Sequence, residues 1–89
     1  MSEQQAKRIA RHIGNVESRR SNCSFDDLAH LLQAAGFTMR KSSGSSHVIF
    51  VRGTARLNVP HARPVKKCYV DEALAAARSI MESLKNEYS

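Results

Sequence analysis

Between Ser24 and Gly36, apolar residues recur at the spacing that places them on one face of a helix. Their positions are Phe25, Leu28, Leu31, Leu32 and Ala35. The Ser24 hydroxyl can accept a hydrogen bond from the backbone amide of Asp27, and the Asp27 carboxylate can accept one from the Ser24 amide. Gly36 can adopt the left-handed conformation that commonly ends a helix. The pattern therefore predicts an amphipathic helix over residues 24–35.

A second helical stripe extends over about residues 69–86. Its apolar positions are Val70, Ala73, Leu74, Ala77, Met81 and Leu84. At the other end of the chain, residues 3–13 are compatible with a helix but only weakly amphipathic, and Gly14 follows them as a stop signal. We expect a short, frayed helix there, in a basic arm over residues 1–22 that lies outside the core. Residues 23–89 are expected to form the folded domain.

Three short segments between the two amphipathic helices have the patterns of β-strands. They comprise residues 37–41, 47–51 and 56–59. Phe37 and Met39 alternate and are expected to share one face, and the connecting loops are short enough for hairpins. The predicted fold class is α+β, with the order α-β-β-β-α, a three-stranded antiparallel sheet, two helices on one face and an N-terminal helical arm. The predicted core contains Leu28, Leu32, Phe37, Phe50, Leu57, Leu74 and Met81.

The middle strand has two possible registries. Alternation places His47, Ile49 and Val51 on one of its faces, while Val48 and Phe50 point to the other. If Val48 and Phe50 join the core, His47 lies on the open face beside two exposed β-branched residues, as is typical of a binding surface. The opposite registry would half-bury His47 at the sheet edge. The sequence leaves both registries open.

Composition restricts the class of protein. A chain of 89 residues that is 42% hydrophobic indicates a single folded domain, and no apolar run approaches the length of a membrane span. The net charge of +6 is concentrated before residue 68, which favours a nucleic acid or an acidic protein as partner. Cys23 and Cys68 form no CxxC pair, so we expect reduced, buried or half-buried thiols in a cytoplasmic protein. No motif predicts a metal site or a cofactor.

Three segments of the chain resemble the HicA toxins, which are small basic ribonucleases of bacterial and archaeal toxin–antitoxin systems. The segment "SSHVIF" (45–50) resembles the family's GSH-x-I-F strand, and "SFDDLAHLLQAAGF" (24–37) resembles its first helix. The segment "LNVPHARPVKKCYVDEALAAA" (57–77) resembles its third strand, its Val-Pro-His connection and its last helix. The resemblance implies a fold like that of double-stranded-RNA-binding domains, RNA cleavage, and a HicB-like antitoxin as protein partner.

By position, the resemblance places His47 on the catalytic histidine of the family and Ser46 on the serine before it. Ser45 departs from the pattern, because the family has glycine there. Gly44 offers a second alignment, shifted by one residue, that would put Ser46 at the catalytic position. The alignment through His47 is preferred, because it keeps the apolar residues of the strand in phase.

The chemistry of RNA fits a single histidine. RNA supplies its own nucleophile, the 2′-hydroxyl, and an imidazole with an ordinary pKa near 6.5 can move its proton at neutral pH. The predicted RNA-binding residues are Ser45, Ser46, Arg40, Lys41, Lys66 and Lys67. His61, in a loop with two prolines, is a possible supporting residue. No metal ligand and no cofactor are expected, and the oligomeric state is left undetermined.

Two other functions remain open at this point. The chain can be a non-catalytic RNA-binding module that keeps the fold without the chemistry. It can also be a protein-binding domain that uses the open face of the sheet. Cleavage that depends on His47 separates the enzyme from the first alternative, and strong salt dependence of RNA binding separates RNA binding from the second.

Overall fold

The chain folds into three helices and a three-stranded antiparallel sheet, described for residues 2–41 and 47–87 in a computed structural model. In chain order the elements are α1 (Ser2–Ser18), α2 (Phe25–Ala34), β1 (Thr38–Lys41), β2 (His47–Arg52), β3 (Ala55–Pro60) and α3 (Lys67–Glu87). The side chains of Ser2, Lys41 and residues 85–87 fall outside this description. The predicted α+β class, and the order α-β-β-β-α behind an N-terminal helix, are confirmed.

Helix α2 begins and ends as its sequence predicts. The Asp27 amide donates to Ser24 Oγ at 3.2 Å, and the Ser24 amide donates to Asp27 Oδ2 at 3.3 Å, so the capping box is complete. At the other end, Gly36 has a φ of 96°, and the Phe37 amide donates to the Leu32 carbonyl at 2.9 Å. These bonds satisfy backbone groups that a helix otherwise leaves without partners, which fixes where the chain enters the sheet.

Strand β2 is the centre of the sheet and pairs antiparallel with both β1 and β3. His47 lies opposite Pro60, at the end of the sheet where β2 begins. At the other end, Gly53 has a φ of 61°, a conformation that favours glycine, so the chain reverses through Gly53 and Thr54 alone. This short turn fixes the pairing of β2 with β3.

The helices cover the face of the sheet that carries Val48 and Phe50. Phe50 has no exposed surface, and its ring lies 6.0 Å from that of Phe25 on α2, measured between centroids. Most of the predicted core is confirmed: the buried members are Leu28, Leu32, Phe37, Phe50 and Leu74, and Leu57 and Met81 are partly buried against them. The core therefore lies between the sheet and the helical layer.

Met39 lies on the helical side of the sheet, the side on which Phe37 is buried, but it is the more exposed of the two. Phe37 is buried but precedes β1, whereas Met39 is 39% exposed. Met39 pairs with Phe50 in register, yet β1 is an edge strand that α2 contacts through few residues. Its side chain therefore lies at the margin of the area that the helices cover.

The prediction of a short N-terminal helix outside the core is wrong. Helix α1 continues through Gly14 to Ser18 and packs against both α2 and α3. Its buried residues are Ala6, Ile9, Ile13 and Val16. A glycine inside a helix costs roughly 1 kcal/mol, whereas burying one valine or isoleucine side chain contributes about 1.5–3 kcal/mol. Packing of this stripe therefore outweighs the stop signal at Gly14, and α1 shares one core with the rest of the domain.

Two ion pairs join the region of α1 to α3. Arg20 Nη2 lies 2.8 Å from Asp71 Oδ2, and this hydrogen bond raises the pKa of the arginine further. Arg78 pairs with Glu17 near the end of α1. All four side chains are about half exposed, so solvent screens both pairs and each adds little to the stability of the fold. The pairs orient α1 on α3, and because they engage one arginine and one glutamate of the predicted arm, they leave its net charge unchanged.

The two cysteines have different environments. Cys23 is fully buried between α1 and α2, and its Sγ donates to the Ser24 carbonyl at 3.6 Å. Burial, with a smaller effect from the Asp27 carboxylate, raises the pKa of the Cys23 thiol to about 11. Cys68 is exposed near the start of α3, so the expectation that both thiols are buried or half-buried is wrong for Cys68. Cys68 lies outside the buried stripe of α3, whose first buried residue is Val70.

Candidate nucleic-acid interface

The structure resolves the registry of β2 in favour of an open face that carries His47. Val48 and Phe50 are buried under the helices, whereas His47 is exposed and Ile49 and Val51 are half-buried. Because side chains alternate along a strand, these three residues share the face that the helices leave uncovered. We call this surface the open face.

His47 is the first residue of β2 and lies opposite Pro60 of β3. The serine-rich segment before it, residues 42–46, lies outside the described residues, and with it the predicted RNA-binding residues Ser45 and Ser46. His47 is therefore placed by the strand that follows it. Pairing with β3 fixes its backbone at one end of the sheet, and its side chain reaches the solvent.

Two arginines flank the apolar pair on the open face. Arg40 of β1 lies opposite Ile49, and Arg56 of β3 lies opposite Val51. Together these four residues line a shallow depression of about 370 Å³. Among the described side chains, residues 3–40 and 47–84, no carboxylate forms an ion pair with either guanidinium. On the open face, Ile49 and Val51 therefore follow His47 along β2 and lie between the positive charges of Arg40 and Arg56.

Arg56 is a residue that the sequence analysis missed as a site residue. Alternation along 56–59, combined with a two-residue turn at Gly53, would have placed Arg56 on the face of His47. The short turn at Gly53 therefore places Arg56 opposite Val51, but only the choice of registry for β2 shows that this face is open. Arg40 was predicted, and its placement on the open face is compatible with that prediction.

The predicted lysines come at or after the ends of β1 and β3 that lie beside His47. Lys41 ends β1 opposite Val48, although its side chain is outside the description. Lys66 and Lys67 are exposed at the start of α3, which the chain reaches through residues 61–65 after leaving β3. The Val65 amide donates to the Cys23 carbonyl at 2.8 Å and ties this connection to the start of α2. Lys66 and Lys67 are therefore exposed cations where α3 begins, next to this bonded connection.

His61 is not brought onto the open face. Its ring stacks on Phe25, with centroids 4.5 Å apart and planes inclined by 27°. Phe25 belongs to α2 and the core, so the His61 ring lies on the helical side of the sheet. It contributes there to a small depression of about 170 Å³ with Asp26 and Arg63. Its geometry is that of a packing residue at the end of β3.

The described residues contain neither a metal-binding cluster nor a membrane-spanning helix. Within residues 2–41 and 47–87, no three His, Cys, Asp or Glu side chains cluster as they would around a metal ion. No helix of the described chain has both the length and the hydropathy to cross a membrane.

Comparisons of this chain with known protein families, with curated proteins and with solved structures found no match. The residues that resemble the HicA toxins and the geometry of the open face are therefore the basis for a functional proposal.

Proposed function

We propose that this protein is an RNA endonuclease that uses His47 as its general acid–base residue and acts as the toxin of a HicA/HicB-type toxin–antitoxin system. The observation that carries the proposal is the placement of His47 on the open face, in line with an apolar pair that Arg40 and Arg56 flank. This face combines a proton-transfer group with cations, which are the two elements that cleavage of an RNA strand requires. The proposed substrate is mRNA in the cytoplasm.

In the proposed reaction, His47 accepts the proton of the 2′-hydroxyl beside the scissile phosphate. The 2′-oxygen attacks the phosphorus atom, the bond from phosphorus to the 5′-oxygen breaks, and that oxygen takes up a proton from His47 or from water. The products are a cyclic phosphate and a free 5′-hydroxyl. The protein has to hold the strand and stabilise the negative charge that develops on the phosphate oxygens, which is the part assigned to the cations.

The spacing on the open face suits a nucleotide strand. Residues two apart along a strand are separated by about 7 Å, so His47, Ile49 and Val51 span about 14 Å. Arg40 and Arg56 lie on opposite sides of this line, Arg40 beside Ile49 and Arg56 beside Val51. In the proposal the two guanidiniums hold phosphates next to the one at His47, and bases or riboses lie on the apolar pair.

Neutralising both arginines of the open face is expected to weaken RNA binding. For Arg40→Gln combined with Arg56→Gln, the slope of log affinity against log salt should fall by about 1.4, or about 0.7 for each phosphate that the variant no longer binds. Fluorescence anisotropy with a labelled single-stranded RNA over a salt series measures the slope.

Arg52→Gln is the matched control for the open face. Arg52 is also an exposed arginine of β2, but its register with Ala55 places it on the helical side. Its removal is expected to leave the slope close to the wild-type value. An unchanged slope in the double variant, or an equal loss in the control, would show that the open face does not hold the phosphates.

Dependence on the 2′-hydroxyl tests the reaction class directly. The protein is expected to cleave a single-stranded RNA in EDTA and to leave intact the same strand with a single 2′-deoxy substitution at the cleaved position. Cleavage of the deoxy-substituted strand at that position would contradict the mechanism. Binding without cleavage of either strand would favour the non-catalytic RNA-binding module.

The proposed protein partner is a HicB-like antitoxin with an acidic surface. The open face presents half-buried Ile49 and Val51 between two cations, a combination that an acidic protein could cover while blocking His47. Such a partner would compete with RNA for one surface. A protein-binding domain without RNA affinity is the corresponding alternative, and the absence of RNA binding would favour it.

A further inference from the structure

Helix α1 carries a second basic surface. Gln4, Lys7, Arg8 and Arg11 line a shallow depression of about 410 Å³. Their spacing places them on the side of the helix opposite the buried stripe of Ile9 and Val16. We call this surface the outer face of α1. The outer face exists because α1 is a continuous helix, which places these four side chains along one side.

The outer face of α1 is separate from the open face. Helix α1 packs against α2 and α3, and these two helices lie on the side of the sheet that carries Phe50. The open face is the other side of the same sheet. The two basic surfaces therefore lie on different sides of the domain, and a few nucleotides bound at His47 cannot reach α1.

The positive charge of the outer face is largely uncompensated. Lys7 lies 3.8 Å from Glu3, but both side chains are well exposed and the attraction is weak. Arg8 and Arg11 form no ion pair with the described side chains, which are those of residues 3–40 and 47–84. The pKa of neighbouring His12 is lowered by partial burial and then by Arg11, His30 and Arg8, as expected in a positive field.

The chemistry of this surface favours a nucleic-acid backbone over a membrane or a protein. Met39 is the only large apolar residue exposed among the described side chains, and it belongs to β1. The outer face of α1 therefore offers no apolar group to insert into a lipid layer and none of the aromatic or Met residues that anchor protein interfaces. Cations and an amide are the groups that bind phosphate oxygens and ribose hydroxyls.

We infer that the outer face of α1 is a second RNA-binding surface, which holds phosphates of the substrate RNA outside the segment cleaved at His47. The inference rests on the proposed function only in taking RNA as the ligand. Long RNA would contact both surfaces of one molecule, whereas a trinucleotide would contact the open face alone. Once one surface holds a long RNA, its binding to the second surface is intramolecular, and this raises the overall affinity for long RNA.

The test compares long and short RNA in matched variants. Arg8→Gln combined with Arg11→Gln removes two charges from the outer face, and Arg52→Gln combined with Arg63→Gln removes two exposed charges elsewhere. Binding of a long single-stranded RNA is measured in a His47→Ala background, so that the strand stays intact. The salt slope is expected to fall by about 1.4 in the α1 pair and to stay unchanged in the control pair. Cleavage of a trinucleotide, measured with His47 present, is expected to be unchanged by the α1 pair.

Several results would overturn the inference. An unchanged salt slope in the α1 pair, or an equal fall in the control pair, would leave the outer face without a specific role. Loss of trinucleotide cleavage in the α1 pair would show that the two surfaces are not separate. Polyglutamate that binds the wild-type protein as tightly as RNA, with loss in the α1 pair, would instead indicate an acidic protein partner. Because the slope is a binding measurement, it decides the inference even if the wild-type protein cleaves no RNA.

Discussion

The His47→Ala protein is expected to cleave RNA about 10²–10⁴-fold more slowly than the wild-type protein, since that is the usual contribution of a general acid–base side chain. His47 is exposed at the first position of β2, so removing its imidazole opens no cavity in the core. The midpoint of thermal unfolding is therefore expected to stay close to the wild-type value. Initial rates on a single-stranded RNA in EDTA, with circular dichroism melting curves, measure both quantities.

His61→Ala is the control for loss of an imidazole. His61 stacks on Phe25 on the helical side of the sheet, and aromatic pairs of this kind contribute about 0.5–1.5 kcal/mol. The variant is expected to lose about that much free energy of unfolding while it keeps cleaving RNA. Full activity in His47→Ala would refute the role of His47, and loss confined to His61→Ala would transfer that role to His61.

Ile9→Ala is expected to lower the free energy of unfolding by about 2–5 kcal/mol, because it leaves a cavity where α1 meets α2 and α3. A domain of this size has a total stability of about 5–15 kcal/mol, so the variant is expected to be partly unfolded at elevated temperature. Urea unfolding followed by far-ultraviolet circular dichroism gives the change in free energy.

Gln4→Ala is the matched control on the same helix. Gln4 is exposed, and alanine has at least the helix propensity of glutamine, so its free energy of unfolding is expected to change by less than about 0.5 kcal/mol. Equal, small changes in both variants would mean that α1 does not pack in solution, and the inference about its outer face would then lose its structural basis.

The parts of the fold that the sequence predicts well are those fixed by local chemistry. Ser24 and Asp27 form the capping box, and Gly36 takes the left-handed conformation, because each depends on residues within one turn. The strands agree with their predicted bounds to within a residue, since alternation and short loops leave little freedom. The sequence does not predict the exposure of Met39, because exposure at a sheet edge depends on how far a distant helix reaches.

Helix α1 is longer and more buried than its local sequence pattern predicts. Ile9, Ile13 and Val16 have the spacing of a buried stripe, but the polar and charged residues between and around them lower the mean hydropathy of the segment. Gly14 then suggested an end. Whether such a stripe is buried depends on a partner surface that comes from α2 and α3, and no short window of sequence contains that surface.

The candidate site divides in the same way. His47 and Arg40 reach the open face through strand alternation, which sequence can supply, whereas the choice between two registries required knowing which face of β2 the helices cover. The position of His61 depends on a stacking contact with a residue far away in the sequence. That contact explains why a histidine in a proline-bounded loop lies away from the open face.

The packing of α1 on α3 has a consequence for synthesis on the ribosome. The sheet and α2 are built from neighbours in sequence, so they can form as soon as residues 24–60 have left the exit tunnel. The buried side chains of α1 are made first, and α2 can cover only part of them until residues 67–87 follow and form α3. A chain interrupted before α3 therefore leaves exposed the side of α1 that packs on α3, and we expect proteases to degrade it.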